Sequence, residues 1–252
     1  MSGFYGLLQK ELLRFWRVAF QTIAAPVLSA LLWMAVLSHA VGERASPGCG
    51  LPFVEFLIPG LVMMSVLQNS FSNSSSSLIQ SKLTGNLLLI VLPPISSSAF
   101  FLAYAGASVI RGLMVGVGVL AAGVLFAPDA LPQSPMTVLM FAILGGLAAG
   151  SLGIIAGLWA EKFDQIGMFT NFIILPLTFL SGVFYSIDSL PPFWRTLSHF
   201  NPFFYMIDGF RHGFFDCGDV SLPVALSSTA AMTVAVSWLA LHLIHRGYKI
   251  KT

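Results

Sequence analysis

Polar side chains recur along one apolar stretch of the sequence at the spacing of a single helical face. The stretch 56–81 contains no Asp, Glu, Lys or Arg, yet five polar residues lie three or four positions apart in it: Ser65, Asn69, Ser72, Asn73 and Ser76. Residues at these spacings share one face of an α-helix, and amides that faced lipid would lack hydrogen-bond partners. This polar face therefore meets protein or water. Either it forms the wall of a polar pathway, with Asn69, Asn73 and Ser76 as the candidates, or it makes hydrogen bonds to neighbouring helices.

Arg111 is the one fixed charge in the next long apolar stretch. A span at 98–126 puts Arg111 near its middle, where insertion of an arginine costs about 2.5–3.5 kcal/mol. We therefore expect its side chain to face protein or a water-filled path, with helix carbonyls, the polar face or an anionic cargo as partners. The alternative is a span that begins near residue 112, from which Arg111 reaches the headgroups. Asn171 and Thr178 extend the pathway hypothesis to a later apolar stretch.

Sequence patterns for catalysis, nucleotide binding and metal binding are absent. No glycine is followed by lysine, which excludes a phosphate-binding loop of the form GxxxxGK[ST]. HExxH, CxxC and GxSxG do not occur, and the five histidines are scattered over different segments. We therefore predict no catalytic residue, no metal site and no cofactor in this chain. If ATP drives it, ATP and Mg²⁺ belong to a separate partner subunit.

Composition restricts the class of protein further. Hydrophobic residues make up 56% of the 252 positions and charged residues only 9%, against about 25% charged in an ordinary soluble domain. The net charge of +2 is too small for a nucleic-acid footprint. A membrane β-barrel would show alternating segments, which residues 115–126 do not. We predict an all-α polytopic membrane protein.

Runs free of charge locate the spans, since a hydrocarbon core takes about 20 residues per helix. They predict six spans, at about 18–42, 56–81, 98–126, 135–159, 166–185 and 222–245. Eight Lys and Arg residues then flank the side of the N-terminus and three flank the other side. By the positive-inside rule, both termini face the cytoplasm.

Residues 1–17 and the fourth span carry two further patterns. Apolar residues recur at helical spacing before the first span, namely Phe4, Leu7, Leu8, Leu12 and Phe15. They predict an amphipathic helix in the cytoplasmic interface with its basic residues facing headgroups, although a basic flank that only sets topology fits as well. The glycines of the fourth span indicate close helix packing: Gly145, Gly146, Gly150, Gly153 and Gly157.

Several short motifs in a fixed order resemble the membrane subunits of type-2 ABC exporters, the permeases of drug and surface-polysaccharide export. The motifs are Lys-Glu-Leu-x-Arg at 10–14, Pro-Gly at 59–60, Ala-Glu-Lys-Phe-Asp-Gln-Ile at 160–166, Pro-Leu-Thr-Phe-Leu-Ser-Gly-Val-Phe-Tyr-Ser at 176–186, Leu-Pro-Pro-Phe-Trp at 190–194, Asn-Pro at 201–202 and Gly-Phe-Arg at 209–211. Each motif alone is weak, whereas their ordered combination covers nearly the whole chain. Within the family, the chain looks most like the small bacterial inner-membrane transport permeases.

The resemblance implies a single transmembrane domain over 1–252, a homodimer and two separate cytoplasmic ATPase subunits. It assigns residues 81–94 to a coupling helix that docks on the ATPase, with these matching or adjacent positions: Lys82, Gly85, Asn86, Leu87 and Pro94. Where the family often has acidic residues, this chain has Leu88 and Leu89, so we expect a mainly apolar contact. The alternative is an interfacial loop without a partner.

The aromatic-rich segment 187–219 lies between the last two predicted spans, broken at Asn201-Pro202. Two short re-entrant helices in the outer leaflet fit it. In the resembled family this region is an outer gate, which assigns Pro192, Trp194, Asn201, Pro202 and Arg211; an aromatic interface belt would need the same residues.

The function that the resemblance implies is an ATP-driven exporter permease that moves a substrate across the bacterial inner membrane by alternating access. Lipids, drugs, polysaccharide–lipid conjugates and small metabolites all fit a mildly polar pathway. The alternative is a gradient-driven transporter or a channel, but every Asp and Glu falls in a loop or at a span end, where a coupling-ion site is unusual. Expected partners are the ATPase, a second copy and membrane lipid, without nucleic acid. Cys49 and Cys217 both fall in outer loops, where they form a disulfide or remain two free thiols.

Overall fold

Helices account for all the regular structure in the part of the chain that is described. The computed structural model of the protein describes residues 2–40, 50–87 and 95–249, and no β-strand occurs within them. Within the described ranges, five helices are long and apolar enough to cross a membrane: α2 (Ala19–Ala40), α3 (Phe53–Leu83), α4 (Ser97–Phe126), α5 (Pro135–Trp159) and α10 (Leu222–His245). Shorter α-helices are α1 (Ser2–Trp16), α6 (Phe163–Phe169), α7 (Leu175–Phe179), α8 (Pro192–His199) and α9 (Pro202–Phe215), and a π-helical turn at Thr170–Ile174 and a 3-10 helix at Ile187–Ser189 accompany them. The all-α class is confirmed.

The predicted span at 166–185 is not one continuous α-helix. Its place is taken by α6, a π-helical turn at Thr170–Ile174 and α7, which ends at Phe179. Pro176 has no backbone N–H to donate, and Leu175 before it donates to the carbonyl of Thr170, five residues back, as in a π-helical turn. Gly182 then adopts a positive φ of 75°, which turns the chain after α7.

Helix α3 lies at the centre of the bundle, between α4 and α5. Small residues let the backbones approach closely. A Cβ atom at Gly153 of α5 would collide with the carbonyl oxygen of Phe71, and one at Gly112 of α4 would collide with Ser70. A Cβ atom at Gly157 would come within 2.8 Å of Leu78. The prediction that the glycines of the fourth span are packing contacts is confirmed.

The bundle has two ends, which we name after the short helices that cover them. The α1 end contains α1, the last turns of α3, α5 and α10, and the first turn of α4. There Lys10 bonds Ser81 across 3.4 Å and Lys249 bonds Glu161 across 2.6 Å. The α9 end contains α9, the first turns of α3, α5 and α10, and the last turn of α4. Helix α1 and Lys249, the first and last described parts of the chain, thus lie at the same end of the bundle.

Helix α1 packs against α4. Leu7, Glu11 and Phe15 lie buried against the bundle, at intervals of four residues. Tyr5 and Trp16 are exposed on the opposite side. The predicted helix is present, but its apolar residues divide between two faces because they occur almost all the way round.

Candidate functional site

The predicted polar face of α3 divides into two parts. Asn73 is fully buried, whereas Asn69 and Ser76 are half-buried and Ser72 is exposed. The amide of Asn69 donates to the carbonyl of Ser65 in its own helix, 3.0 Å away. The less covered part therefore remains a polar strip on the surface of one chain, and Asn73 points into the bundle.

Ser108 of α4 joins the buried part of this face to its neighbour. Its hydroxyl accepts from the amide of Asn73 at 3.2 Å and lies 2.5 Å from the hydroxyl of Ser74. Ser70 donates to the backbone carbonyl of Ser108 at 3.1 Å. Buried hydroxyls and amides require such partners in an apolar interior, and here they fasten α3 to α4. Helix–helix hydrogen bonding, one of the two interpretations, therefore describes Asn73.

The amide oxygen of Asn73 also accepts from two arginines. Nη2 of Arg14 lies 3.0 Å away and Nη1 of Arg111 lies 3.4 Å away. The Arg111 guanidinium is 5.9 Å from the ring centre of Phe15, and its Nε is buried without a recorded hydrogen-bond partner in the described residues. Arg111 thus faces protein and contacts the polar face of α3, as the sequence predicts.

Glu11 is a fully buried acidic residue at this end of the bundle. Its carboxylate accepts from Ser77 of α3 at 2.8 Å and pairs with Lys10 at 3.0 Å and Arg14 at 3.3 Å. We call this group the α1-end cluster; it consists of Lys10, Glu11, Arg14, Asn73, Ser77, Ser108 and Arg111. It holds three cations and one carboxylate. Sequence analysis did not single out Glu11 or Ser108, although Glu11 lies within the Lys-Glu-Leu-x-Arg motif.

The described part of the predicted coupling segment runs directly on from α3. Lys82 donates to the carbonyls of Leu158 and Ala160, which fixes the end of α3 to the end of α5. Gly85 turns the chain with a φ of 71°, leaving Asn86 exposed and Leu87 buried. Pro94 lies outside the described residues, as do Leu88 and Leu89. A charge at Leu87 would therefore disturb packing, and Asn86 is the better position for a test of docking.

A second polar group lies at the opposite end of the bundle. Asp208 of α9 is fully buried and accepts from the backbone N–H groups of Asp219 at 2.8 Å and Val220 at 3.1 Å. The carboxylate of Asp219 accepts from the hydroxyl of Ser186 at 2.6 Å and from the N–H of Ile187 at 2.9 Å. These carboxylates tie three segments of the chain together.

Arg211 completes this group, which we call the α9-end cluster: Gly182, Ser186, Asp208, Arg211 and Asp219. The guanidinium donates to the carbonyl of Gly182 at 2.7 Å and lies 3.9 Å from the carboxylate of Asp208. It also sits 3.8 Å from the ring centre of Phe56 in α3. Its side chain is almost fully buried, so Arg211 serves as an internal anchor of α9.

The other predicted gate residues divide between a buried helix and an exposed one. Asn201 caps α9 by accepting from the N–H of Phe203 at 3.0 Å, and Pro202 occupies the first helical position. Pro192 and Trp194 lie exposed on α8. Helix α9 is therefore largely buried within the bundle, whereas α8 presents exposed aromatic side chains, as a helix at a membrane interface would.

The two pathway candidates of the later stretch do not join the polar face of α3. Asn171 is exposed in the π-helical turn, and the buried Thr178 donates to the carbonyl of Ile174 in its own segment at 2.6 Å. Cys217 is not a free cysteine, whereas Cys49 lies outside the described residues, so pairing of the two stays a prediction.

An exposed ion pair lies where α10 ends. The hydrogen bond and positive charge of Lys249 hold the pKa of Glu161 below its ordinary value, and Glu161 raises the pKa of Lys249. Over residues 2–40, 50–87 and 95–249, no three His, Cys, Asp or Glu side chains come together as a metal site would need.

Comparison with known proteins yields one family and several relatives. Residues 2–215 match the family described as ABC-2 type transporter. The chain is 36% identical over 246 residues to the inner membrane transport permease YadH of Escherichia coli K12, which covers 96% of this chain and 94% of that protein. It is also similar to Nodulation protein J of Rhizobium leguminosarum bv. trifolii, at 25% identity over 210 residues, covering 77% and 74% of the two chains. Nodulation protein J of Sinorhizobium fredii is 24% identical over 228 residues, covering 89% and 84%.

Proposed function

Since the chain belongs to the ABC-2 type transporter family and is the membrane permease subunit of an ABC transporter, we propose that two copies of it and two separate ATPase subunits form an exporter in the bacterial inner membrane. The family match over residues 2–215 is the observation that carries this function. It also favours the permease over a gradient-driven transporter or a channel. The sequence contains no phosphate-binding loop, so ATP and Mg²⁺ bind to the partner subunit.

Six crossings are part of the proposal, with 163–183 as the one beyond the five long helices. Near its start, the ring of Phe169 packs at a tilt against that of Trp159 at the α1 end, with ring centres 6.1 Å apart. Near its end, the backbone of Val183 lies against Gly60 at the α9 end. The helical run Phe163–Phe179 has 17 residues, which is the lower limit for a span. An even number of crossings agrees with both chain ends on the cytoplasmic side, where the charge count also puts them.

The uncovered polar strip on α3 supports a homodimer. Ser72 is exposed and Asn69 and Ser76 are half-buried at membrane depth, where a single chain would present them to lipid. A second copy covers them and makes them the wall of a central pathway. A cysteine at Ser72 is expected to cross-link between copies, whereas a cysteine at exposed Val234 of α10 is not; cross-linking at Val234 alone would contradict this arrangement.

Transport by alternating access requires that ATP-driven closure of the ATPases reaches the bundle. The end of α3 and the segment after it support this role, because Lys82 binds the end of α5 and Leu87 belongs to the same buried apolar cluster as Leu7 of α1. Movement of the exposed turn at Gly85 and Asn86 is therefore transmitted to three helices.

The test is reconstitution of the purified permease with the ATPase that co-purifies with it. We expect ATP hydrolysis and substrate export by the complex, and a loss of both in Asn86→Glu with the dimer intact. Gln133→Glu, at an exposed position of the α9 end, is the matched control and keeps wild-type activity. Transport by the permease alone, driven by an ion gradient, would overturn the proposal.

A further inference from the structure

An open cleft of about 630 Å³ separates α1 from the last turns of α3. Lys10 and Arg14 of α1 line one wall together with Arg17, which directly follows the helix, and polar residues at and beyond the end of α3 line the other. These include Gln80 and Asn86, both exposed. The cleft is therefore a polar site with positive charge on one side.

Positive charge in this cleft exceeds the negative charge that it contacts. Glu11 pairs with Lys10 and Arg14, but its carboxylate is buried beneath the cleft and does not line it. Arg17 is exposed and forms no recorded ion pair within residues 2–40, 50–87 and 95–249. Three cations against one carboxylate leave two positive charges for a ligand to neutralise.

Some hydrogen-bond donors of the cleft already bind protein acceptors, and others remain available to a ligand. Arg14 is committed to Asn73 at 2.9 and 3.0 Å and to Glu11 at 3.3 Å, so it supplies charge but few free donors. The guanidinium of Arg17 and the side-chain amides of Gln80 and Asn86 stand around the mouth. Donors on both walls of the cleft suit the several acceptor oxygens of one phosphate group.

An apolar groove of about 650 Å³ continues from the cleft along the other face of α1. Tyr5, Leu8 and Trp16 line it, and Leu13 lines both the groove and the cleft. A ligand that fills both has an anionic head and an apolar tail. Free phosphate would use only the cleft, so the groove distinguishes a lipid from a soluble anion.

We propose that the cleft between α1 and the end of α3 binds the phosphate of an anionic phospholipid, whose acyl chain lies in the groove beside Leu13. The site differs from a general attraction of basic residues to headgroups, because α1 and α3 supply opposite walls. The bound lipid neutralises the surplus charge of the cleft and holds α1 against α3. This site goes beyond the proposed function, since the lipid binds whether or not cargo is transported.

The test is a titration of the full-length permease in detergent with phosphatidylglycerol, followed by native mass spectrometry. We expect Arg17→Gln to bind about fivefold more weakly, the effect of one basic residue near an anionic lipid surface. Arg246→Gln, an exposed basic position after α10, is the matched control and is expected to bind as wild type does. Equal binding by wild type and Arg17→Gln would overturn the proposal.

Two further arms separate the possible occupants. Leu13→Ser is expected to weaken phosphatidylglycerol binding but not the binding of soluble glycerophosphoglycerol, whereas Val117→Ser on the exposed face of α4 changes neither. Protection from thermal unfolding by inorganic phosphate as large as that by the lipid would mean a free-anion site and overturn the lipid. Loss of the co-purifying ATPase from Arg17→Gln, with lipid binding unchanged, would make the cleft a protein-docking surface instead.

Discussion

The two ends of the bundle use buried charge in opposite ways. At the α9 end, Asp208 and Asp219 accept from four donors, three of them backbone N–H groups, and Arg211 is enclosed by Gly182 and Phe56. At the α1 end, three cations share the amide oxygen of one asparagine and a single carboxylate. The first cluster has two carboxylates to one cation and satisfies the carboxylates with N–H and hydroxyl donors of the chain. The second has three cations to one carboxylate and opens into a cleft.

This difference indicates that the charges of the α9 end stabilise the fold, whereas those of the α1 end are available to bind a ligand. A carboxylate that accepts backbone N–H groups fixes the chain around it and gains little from a further ligand. A surplus of cations in a cleft keeps its affinity for anions, because the carboxylate that it contacts among the described residues neutralises only part of it. We therefore expect substitutions at the α9 end to change stability and those at the α1 end to change binding and transport.

The largest effect is expected for Asp208→Ala at the α9 end. The change leaves the N–H groups of Asp219 and Val220 without acceptors and Arg211 without its carboxylate. Removing one partner of a buried pair costs about 3–5 kcal/mol. Unfolding in a denaturant titration in detergent, followed by circular dichroism, measures it. Asp188→Asn breaks the exposed pair with Arg195 and is the control, expected to cost less than about 1 kcal/mol. Equal stability of the two variants would remove the structural role of the α9-end cluster.

Glu11→Gln is expected to have the next largest effect, at the α1 end. The glutamine can still accept from Ser77, but Lys10 and Arg14 lose their carboxylate. These cations keep 40% and 26% exposure, so water compensates in part. We expect a loss of about 1.5–3 kcal/mol, as for a hydrogen bond to a charged group. The same titration measures it, with Asp129→Asn, an exposed carboxylate between α4 and α5, as control. A loss as large as that of Asp208→Ala would contradict the distinction between the ends.

The sequence predicts the long helices well because the hydrocarbon core excludes charge over about 20 residues. The spans expected at 135–159 and 222–245 coincide with α5 and α10, and the one at 98–126 differs from α4 by one residue. The span at 166–185 stays a prediction: its helical run ends at Phe179 and contains a π-helical turn at Thr170–Ile174, and Gly182 turns the chain beyond it. Hydropathy does not register such changes of backbone conformation.

The polar clusters could be predicted only in part. Spacing placed Asn73 on an inward face of α3, but it could not name Ser108 as its partner, since that contact depends on how two helices are rotated. The burial of Glu11 could not be predicted, because the apolar residues of α1 lie on several of its faces and no single apolar stripe indicates which face packs against the bundle. Asp208 and Asp219 are eleven positions apart, and their backbone partners become evident only once the chain folds back.

Arg111 provides the third test, since it belongs to the α1 end but lies deepest in the bundle. Its Nε is buried without a recorded partner in the described part of the chain. Arg111→Gln therefore removes a buried charge that has few stabilising contacts. We expect the free energy of unfolding to change by less than about 1 kcal/mol, while ATP-driven transport by the complex falls about tenfold, equivalent to about 1.4 kcal/mol. Arg111→Lys, which keeps the charge, is the matched control and is expected to retain most transport. Wild-type transport by both variants would mean that the charge has no role in the pathway.

The smallest effect is expected for the exposed pair of Glu161 and Lys249, which tests whether charge at the α1 end matters for stability when it is neither buried nor in a cleft. Lys249 lowers the pKa of Glu161 from 4.5, so this contribution to stability is present above pH 4.5 and is lost as the pH falls through the lowered value. The pKa of Lys249 is raised from 10.5, so its contribution is present below that pH and is lost as the pH rises through the raised value.

Between those limits, Glu161→Gln should lower the thermal unfolding midpoint slightly, and high salt should remove the difference, since exposed pairs are screened. Gln165→Glu, one helical turn away, adds a carboxylate and is the control for net charge. A salt-resistant shift as large as that of Glu11→Gln would show that burial does not set the strength of charge pairs at this end.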